Sequence, residues 1–136
     1  MNKRIPLAAL AAILFAGAAP AQSPADSLRS FEAAAHAANP AFSGFSAERG
    51  AQFFHARHGH DWSCASCHTA DPRANGRHVV TGNGIEPLAP ARNPARFGNP
   101  AKTEKWFRRN CNDVLGRECT PAEKGDVLAY LVSLRS

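Results

Sequence analysis

Apolar residues recur at helical spacing in four stretches of the chain, and polar residues or prolines mark the ends of each. From Asp26 to about Ala38, Leu28, Phe31 and Ala35 fall on one face, with Asp26 placed to cap and Asn39-Pro40 to stop the helix. Ser46 is an N-cap, with Glu48 in the first turn, for a second helix to about His58. Its Gly50, Phe53 and Phe54 make a small-then-aromatic face that predicts close approach by another helix. A third helix is predicted over residues 101–109, with Trp106 and Phe107 facing inward. The fourth opens on Thr120-Pro121-Ala122-Glu123, a capping box with proline at the first helical position. Val127, Leu128, Leu131 and Leu134 form its apolar stripe, with Tyr130 beside it, and it is the natural partner for Gly50. Residues 70–101 carry so many glycines and prolines that long regular elements are excluded there. The pattern is all-α, with one irregular segment wrapping the helices.

The first 21 residues read differently. Lys3 and Arg4 precede an apolar run from Leu7 to Ala19, and Ala19-Pro20-Ala21 has the form of a cleavage site, so residues 1–21 read as a secretory signal peptide. The run is too short to span a bilayer and no stop-transfer pattern follows. Residues 22–45 then form a helical extension with its linker, and residues 46–136 the main domain. Loss of Lys3 and Arg4 takes Lys+Arg from 16 to 14 against 11 Asp+Glu, so the formal charge falls from +5 to +3. The basic residues are scattered, which argues against nucleic acid as partner. The expected form is a periplasmic protein without membrane insertion, a monomer.

Chemistry concentrates in Cys64-Ala65-Ser66-Cys67-His68. Two thiols at this spacing can each add across a vinyl group of one haem, and the adjacent imidazole then reaches the iron, which is the attachment signature of haem c. A thioredoxin-like pair would expect a βαβ context, and a zinc site a second pair of ligands at suitable spacing; neither context is present. The only methionine is Met1, which leaves with the leader, so the histidine–methionine ligation common in small electron carriers is excluded. Ile85, Leu88 and Phe97 are expected to pack on the haem. A carbonyl between Ile85 and Pro90 is expected to accept the Nδ1–H of His68.

The remaining cysteines, Cys111 and Cys119, either pair in the oxidising compartment or stay a free dithiol. Opposite His68, the mature candidates for a sixth ligand are His36, His55, His58, His60, His78, the lysines, and the amides Asn110 and Asn112. In small cytochromes c the distal ligand comes from the segment before the last helix, where this chain has asparagines and no histidine. Either asparagine also suits a helix C-cap or a turn. Arg108 and Arg109 suit pairing with a haem propionate or exposure to solvent.

The run 106–126, holding Trp106, Asn110, Cys111, Cys119 and the Thr120 capping box, occurs with Ile85-Glu86-Pro87-Leu88-Ala89-Pro90 and the Cys64-to-His68 motif. Jointly they resemble the sphaeroides haem protein family of monohaem cytochromes c, over about Ser46 to the C-terminus. The resemblance implies a small class I cytochrome c-like fold around one covalent haem, here with an extra N-terminal helix. It implies that Asn110 is an axial ligand of the ferric iron, that Cys111 and Cys119 form a disulfide beside it, and that the ligand leaves on reduction so that ferrous haem binds O2 or NO. It also implies a dihaem cytochrome c and a membrane b-type cytochrome as redox partners. The histidines from His55 to His60 depart from the family pattern and keep a histidine ligand in contention. Two other readings stand beside this one: a bis-histidine electron carrier, and a small haem enzyme acting on NO or peroxide, which would need a distal acid–base group.

Overall fold

The computed structural model describes Gln22 to Arg135; the signal-peptide expectation for residues 1–21 lies outside the described residues. Five helices occur in the order α1 (Pro24–Ala38), α2 (Ala47–His55), α3 (Cys64–His68), α4 (Pro100–Leu115) and α5 (Pro121–Ser133). The irregular segment between α3 and α4 contains only the two-residue strands β1 (Gly76–Arg77) and β2 (Gly84–Ile85), antiparallel with Gly76 opposite Ile85. Among the described residues no helix is long and apolar enough to cross a membrane.

The crossing of α2 and α5 forms the centre. A Cβ on Gly50 would lie 1.9 Å from the Asp126 carbonyl oxygen, so the two backbones touch where only hydrogen fits. Phe54, Val127 and Leu131 are buried around this contact, with Leu88, Phe97 and Phe107 packed against them. The Asp126 carboxylate accepts from Ser46 N at 2.7 Å and from Arg49 Nε and Nη2 at 2.7 and 2.8 Å, so one buried acid holds the start of α2 on the middle of α5. In α5 the expected capping box is present: Thr120 Oγ1 accepts from Glu123 N and Glu123 accepts from Thr120 N.

Three boundaries differ from the sequence pattern. Ser23, not Asp26, caps α1: Pro24 starts the helix three residues earlier, and Asp26 becomes the reciprocal acceptor of Ser23 N at 2.7 Å. The buried face of α1 is Ser27, Phe31 and Ala35, with Ser27 more enclosed than Leu28 because its hydroxyl donates to the Phe97 carbonyl at 2.6 Å and meets Thr103 Oγ1 at 3.1 Å. Helix α2 stops at His55, since Ala56 is extended and residues 58–62 close a turn through Asp61 N to His58 O and His58 N to Trp62 O. Helix α4 runs well past Arg109, because its first helix breaker is Gly116, left-handed at φ 72°. Phe107 faces inward as expected, edge-on to Phe31 at 5.5 Å. Trp106 does not: it is 46% exposed among the protein's own atoms and carries the Arg109 guanidinium 5.6 Å from its ring centre.

Gly50→Ala is expected to destabilise the fold by about 3 kcal/mol, the range for forcing an extra methyl into a close contact, measured as a lowered thermal midpoint. The Arg117 guanidinium holds the Glu123 carboxyl below the usual glutamate range. A lowered folded-state value means stability that is complete above the ordinary glutamate pKa and lost as pH falls through the lowered one. Glu123→Gln is therefore expected to flatten the acid limb of stability against pH, while lowering stability at neutral pH by about 1 kcal/mol.

Candidate haem-binding site

Helix α3 is a single turn made entirely of the Cys64-to-His68 motif. Ser63 caps it, with Ser66 Oγ accepting from Ser63 N at 3.0 Å, and Thr69, at φ 62°, ends it. Cys64 and Cys67 are unpaired and partly buried at positions i and i+3, so both thiols and the adjacent imidazole issue from one turn. Burial pushes the Cys64 thiol up to about 11, and burial, followed by the nearby Arg96 charge, holds His68 down to about 4. Both groups are thus neutral at ordinary pH, with His68 in the uncharged form that a metal requires. A Cβ on Gly76 would lie 2.2 Å from the Cys67 carbonyl, so β1 covers the back of the turn as closely as glycine permits.

Two buried polar atoms in the described structure have no partner: His68 Nδ1 and Arg96 Nε. The expected carbonyl acceptor for His68 between Ile85 and Pro90 is therefore absent. Two of those carbonyls are already engaged, Glu86 O by Arg96 Nη2 at 3.2 Å and Ala89 O by Arg92 N and Asn93 N. The same loop is tied down elsewhere, as Leu88 N and Ala89 N both donate to Pro72 O. Leu88 and Phe97 pack against the central cluster together with Cys64 and Ala65; Ile85, in β2, is partly buried. Two free thiols on one turn, a partly buried neutral imidazole with its Nδ1 unpartnered and an unpartnered guanidinium nitrogen fit a covalently held haem.

Asn110 lies in the interior of α4, four residues after Trp106 and three after Phe107, and its side chain is exposed. It is neither a C-cap nor a turn residue; Gly116 takes the cap. Asn112 bonds its amide back to Arg108 O at 2.8 Å. Cys111 and Cys119 are joined as a disulfide and are buried. The other histidines have local partners. His55 meets the Tyr130 hydroxyl at 3.3 Å, His58 meets Phe53 O at 2.9 Å, and His78 Nδ1 accepts from Val80 N and Thr81 N. His36 stacks edge-on to Phe42, and the His60 ring lies against Gly116. Arg108 pairs with Glu118 at 3.4 Å. Arg108 and Arg109, read from the sequence as pairing with a propionate or facing solvent, are both exposed, and Arg96, which the sequence did not single out, is the arginine with a buried unpartnered nitrogen.

A helical fold closed by the α2–α5 crossing around a one-turn thiol–thiol–imidazole motif is that of a c-type cytochrome. Residues 40–131 match the family described as Domain of unknown function (DUF1924), and the chain belongs to that family. It is 43% identical over 103 residues to cytochrome c'' of Methylophilus methylotrophus, covering 73% of this chain and 72% of that protein. It is 52% identical over 71 residues to the cytochrome c-type protein SHP of Cereibacter sphaeroides, covering 52% of this chain and 54% of that protein. The structure of oxidised SHP, described as an oxygen-binding cytochrome c, superposes with a TM-score of 0.73 at 41% identity, over 85% of this chain and 100% of that one. The solution structure of the Methylophilus cytochrome, which addresses its haem-ligand detachment, gives 0.72 at 37% identity, over 83% and 94%.

Covalent attachment is expected to show as a polypeptide mass raised by one haem that survives denaturation. Cys64→Ala and Cys67→Ala together are expected to leave haem extractable by acidified solvent, read in the same mass spectrum.

Proposed function

We propose that this chain is an exported monohaem cytochrome c that transfers electrons and binds O2 or NO at its iron. One haem is attached through Cys64 and Cys67, with His68 on one face and Asn110 on the other in the ferric state. The observation that carries this reading is the placement of Asn110. It stands exposed in the middle of α4, one turn after Trp106, while His55, His58 and His78 have hydrogen-bonding partners and His36 an aromatic one.

Once attached, the haem supplies a one-electron iron centre that takes a diatomic gas when reduced. The chain's part is to hold one strong ligand and one weak one. His68 is partly buried and uncharged on a turn capped by Ser63. Asn110 presents a neutral amide oxygen, a donor that a ferric centre with its net positive charge retains better than a ferrous one. The backbone of Asn110 is fixed by helical hydrogen bonds on both sides and by the disulfide at the next residue. Its release on reduction is therefore a side-chain rotation within a rigid helix, and the gas site opens without displacement of α4. The exported location follows from the leader at residues 1–21. Electrons come from other cytochromes, a dihaem cytochrome c and a membrane b-type cytochrome being the partners implied by the family resemblance. Detachment of a haem ligand in the Methylophilus relative and oxygen binding by SHP support the same sequence of events.

Optical spectra of wild type and Asn110→Ala, ferric and dithionite-reduced, with and without carbon monoxide, test the proposal. The reduced wild-type protein is expected to be high-spin and to bind carbon monoxide at once, and the substitution to alter only the ferric spectrum. Low-spin spectra in both states, resistant to carbon monoxide and unaffected by the substitution, would instead mean an electron carrier with a strong second ligand, to be sought first among the histidines.

A further inference from the structure

Arg96 has a feature shared with only one other residue among those described: a buried side-chain nitrogen without a partner. The other is the imidazole of His68, and Phe97, next to Arg96 in the chain, packs on the same cluster as Cys64 and Ala65 of the turn that carries His68. The turn that carries Arg96 is rigid. Ala89 O accepts from Arg92 N and Asn93 N, and Asn93 O accepts from Arg96 N at 3.0 Å. On the other side Phe97, at φ 63°, offers its carbonyl to the Ser27 hydroxyl and its ring to Phe107. Held from both ends, Arg96 places one Nη on Glu86 O at 3.2 Å and turns its Nε inward. Glu86, whose carbonyl it contacts, is exposed and meets Asn93 Nδ2 at 3.3 Å with its carboxylate, and Glu104, the nearest acid by sequence, is taken by Lys124 at 2.6 Å. Other arginines differ: Arg73 pairs with Asp71, Arg108 with Glu118 and Arg109 lies over Trp106, while the side chain of Arg92, on the same turn, is exposed.

A buried guanidinium nitrogen without an acceptor is costly, and a carboxylate is its best-matched partner in charge and geometry. The only carboxylates that haem attachment at Cys64 and Cys67 would bring into the interior are the two haem propionates. We infer that Arg96 is a haem-binding residue, which, braced by the Glu86 carbonyl, donates its Nε–H to a propionate oxygen on the His68 side. The inference rests on the haem reading above. A fixed positive charge at this position disfavours the ferric state, so Arg96 also raises the reduction potential of the iron.

The test compares holoprotein of wild type, Arg96→Gln and Arg96→Lys by three measurements: mass for covalent haem, spectroelectrochemistry for the potential, and resonance Raman for the propionate bending band. Arg96→Gln is expected to keep its covalent haem, shift the propionate band and lower the potential. Arg96→Lys keeps the charge but loses the forked donor, so it is expected to shift the band while retaining most of the potential. It also keeps the test open if the glutamine variant folds poorly. Covalent haem with an unshifted band and unchanged potential in the variants overturns the role of Arg96 and leaves the haem reading intact. Wild-type protein without covalent haem overturns the haem reading itself.

Discussion

The structure depends on the contact between Gly50 in α2 and the backbone of α5 at Asp126. A methyl group has no room there, so helix separation is set by backbone and not by side chains. The Asp126 carboxylate then fixes rotation as well as distance, through Ser46 N and the Arg49 guanidinium. With α2 held in this way, the turn of residues 58–62 delivers the chain into α3 at a defined position, and Phe54 closes the core beneath it. Gly125 extends the same principle one residue along α5, where the Phe45 ring occupies the space a side chain would need.

Helix α4 is positioned by several weaker constraints. Phe107 packs on Phe31 of α1, and Thr103 with the Phe97 carbonyl shares the Ser27 hydroxyl. Lys124 of α5, buried, reaches Glu104 at 2.6 Å, and the disulfide ties Cys111 to the start of α5. Gly59 approaches the Leu115 carbonyl, and His60 N donates to Val114 O, so the loop that leads into α3 also touches the end of α4. The turn bearing His68 and the helix bearing Asn110 are thus referred to one frame, although α3 packs on α2 and β1 while α4 packs on α1.

The irregular segment is largely exposed, burying only Pro72, Ala89 and Gly98, and several of its polar groups are satisfied locally. Pro72 O takes two donors, Ala89 O takes two more, and Glu86 O takes Arg96. Among the described buried side-chain atoms, His68 Nδ1 and Arg96 Nε remain unpaired.

Much of this was legible in the residues themselves. The four long helices, the capping box at Thr120, the Gly50 approach and the one-turn motif from Cys64 to His68 are local signals, because capping, periodicity and a thiol spacing of three are decided within a few residues. The boundaries were less legible: Pro24 outcompeted Asp26 as the start signal for α1, and α4 ran on to Gly116 because nothing before it breaks a helix. Tertiary structure decided the rest. Trp106 was turned outward and Phe107 inward by the position of Phe31, Ser27 was buried by the Phe97 carbonyl, and Arg96 was brought to His68 by a turn clamped from α1. These last contacts join residues 28 to 76 positions apart, and no local periodicity carries information over such a separation.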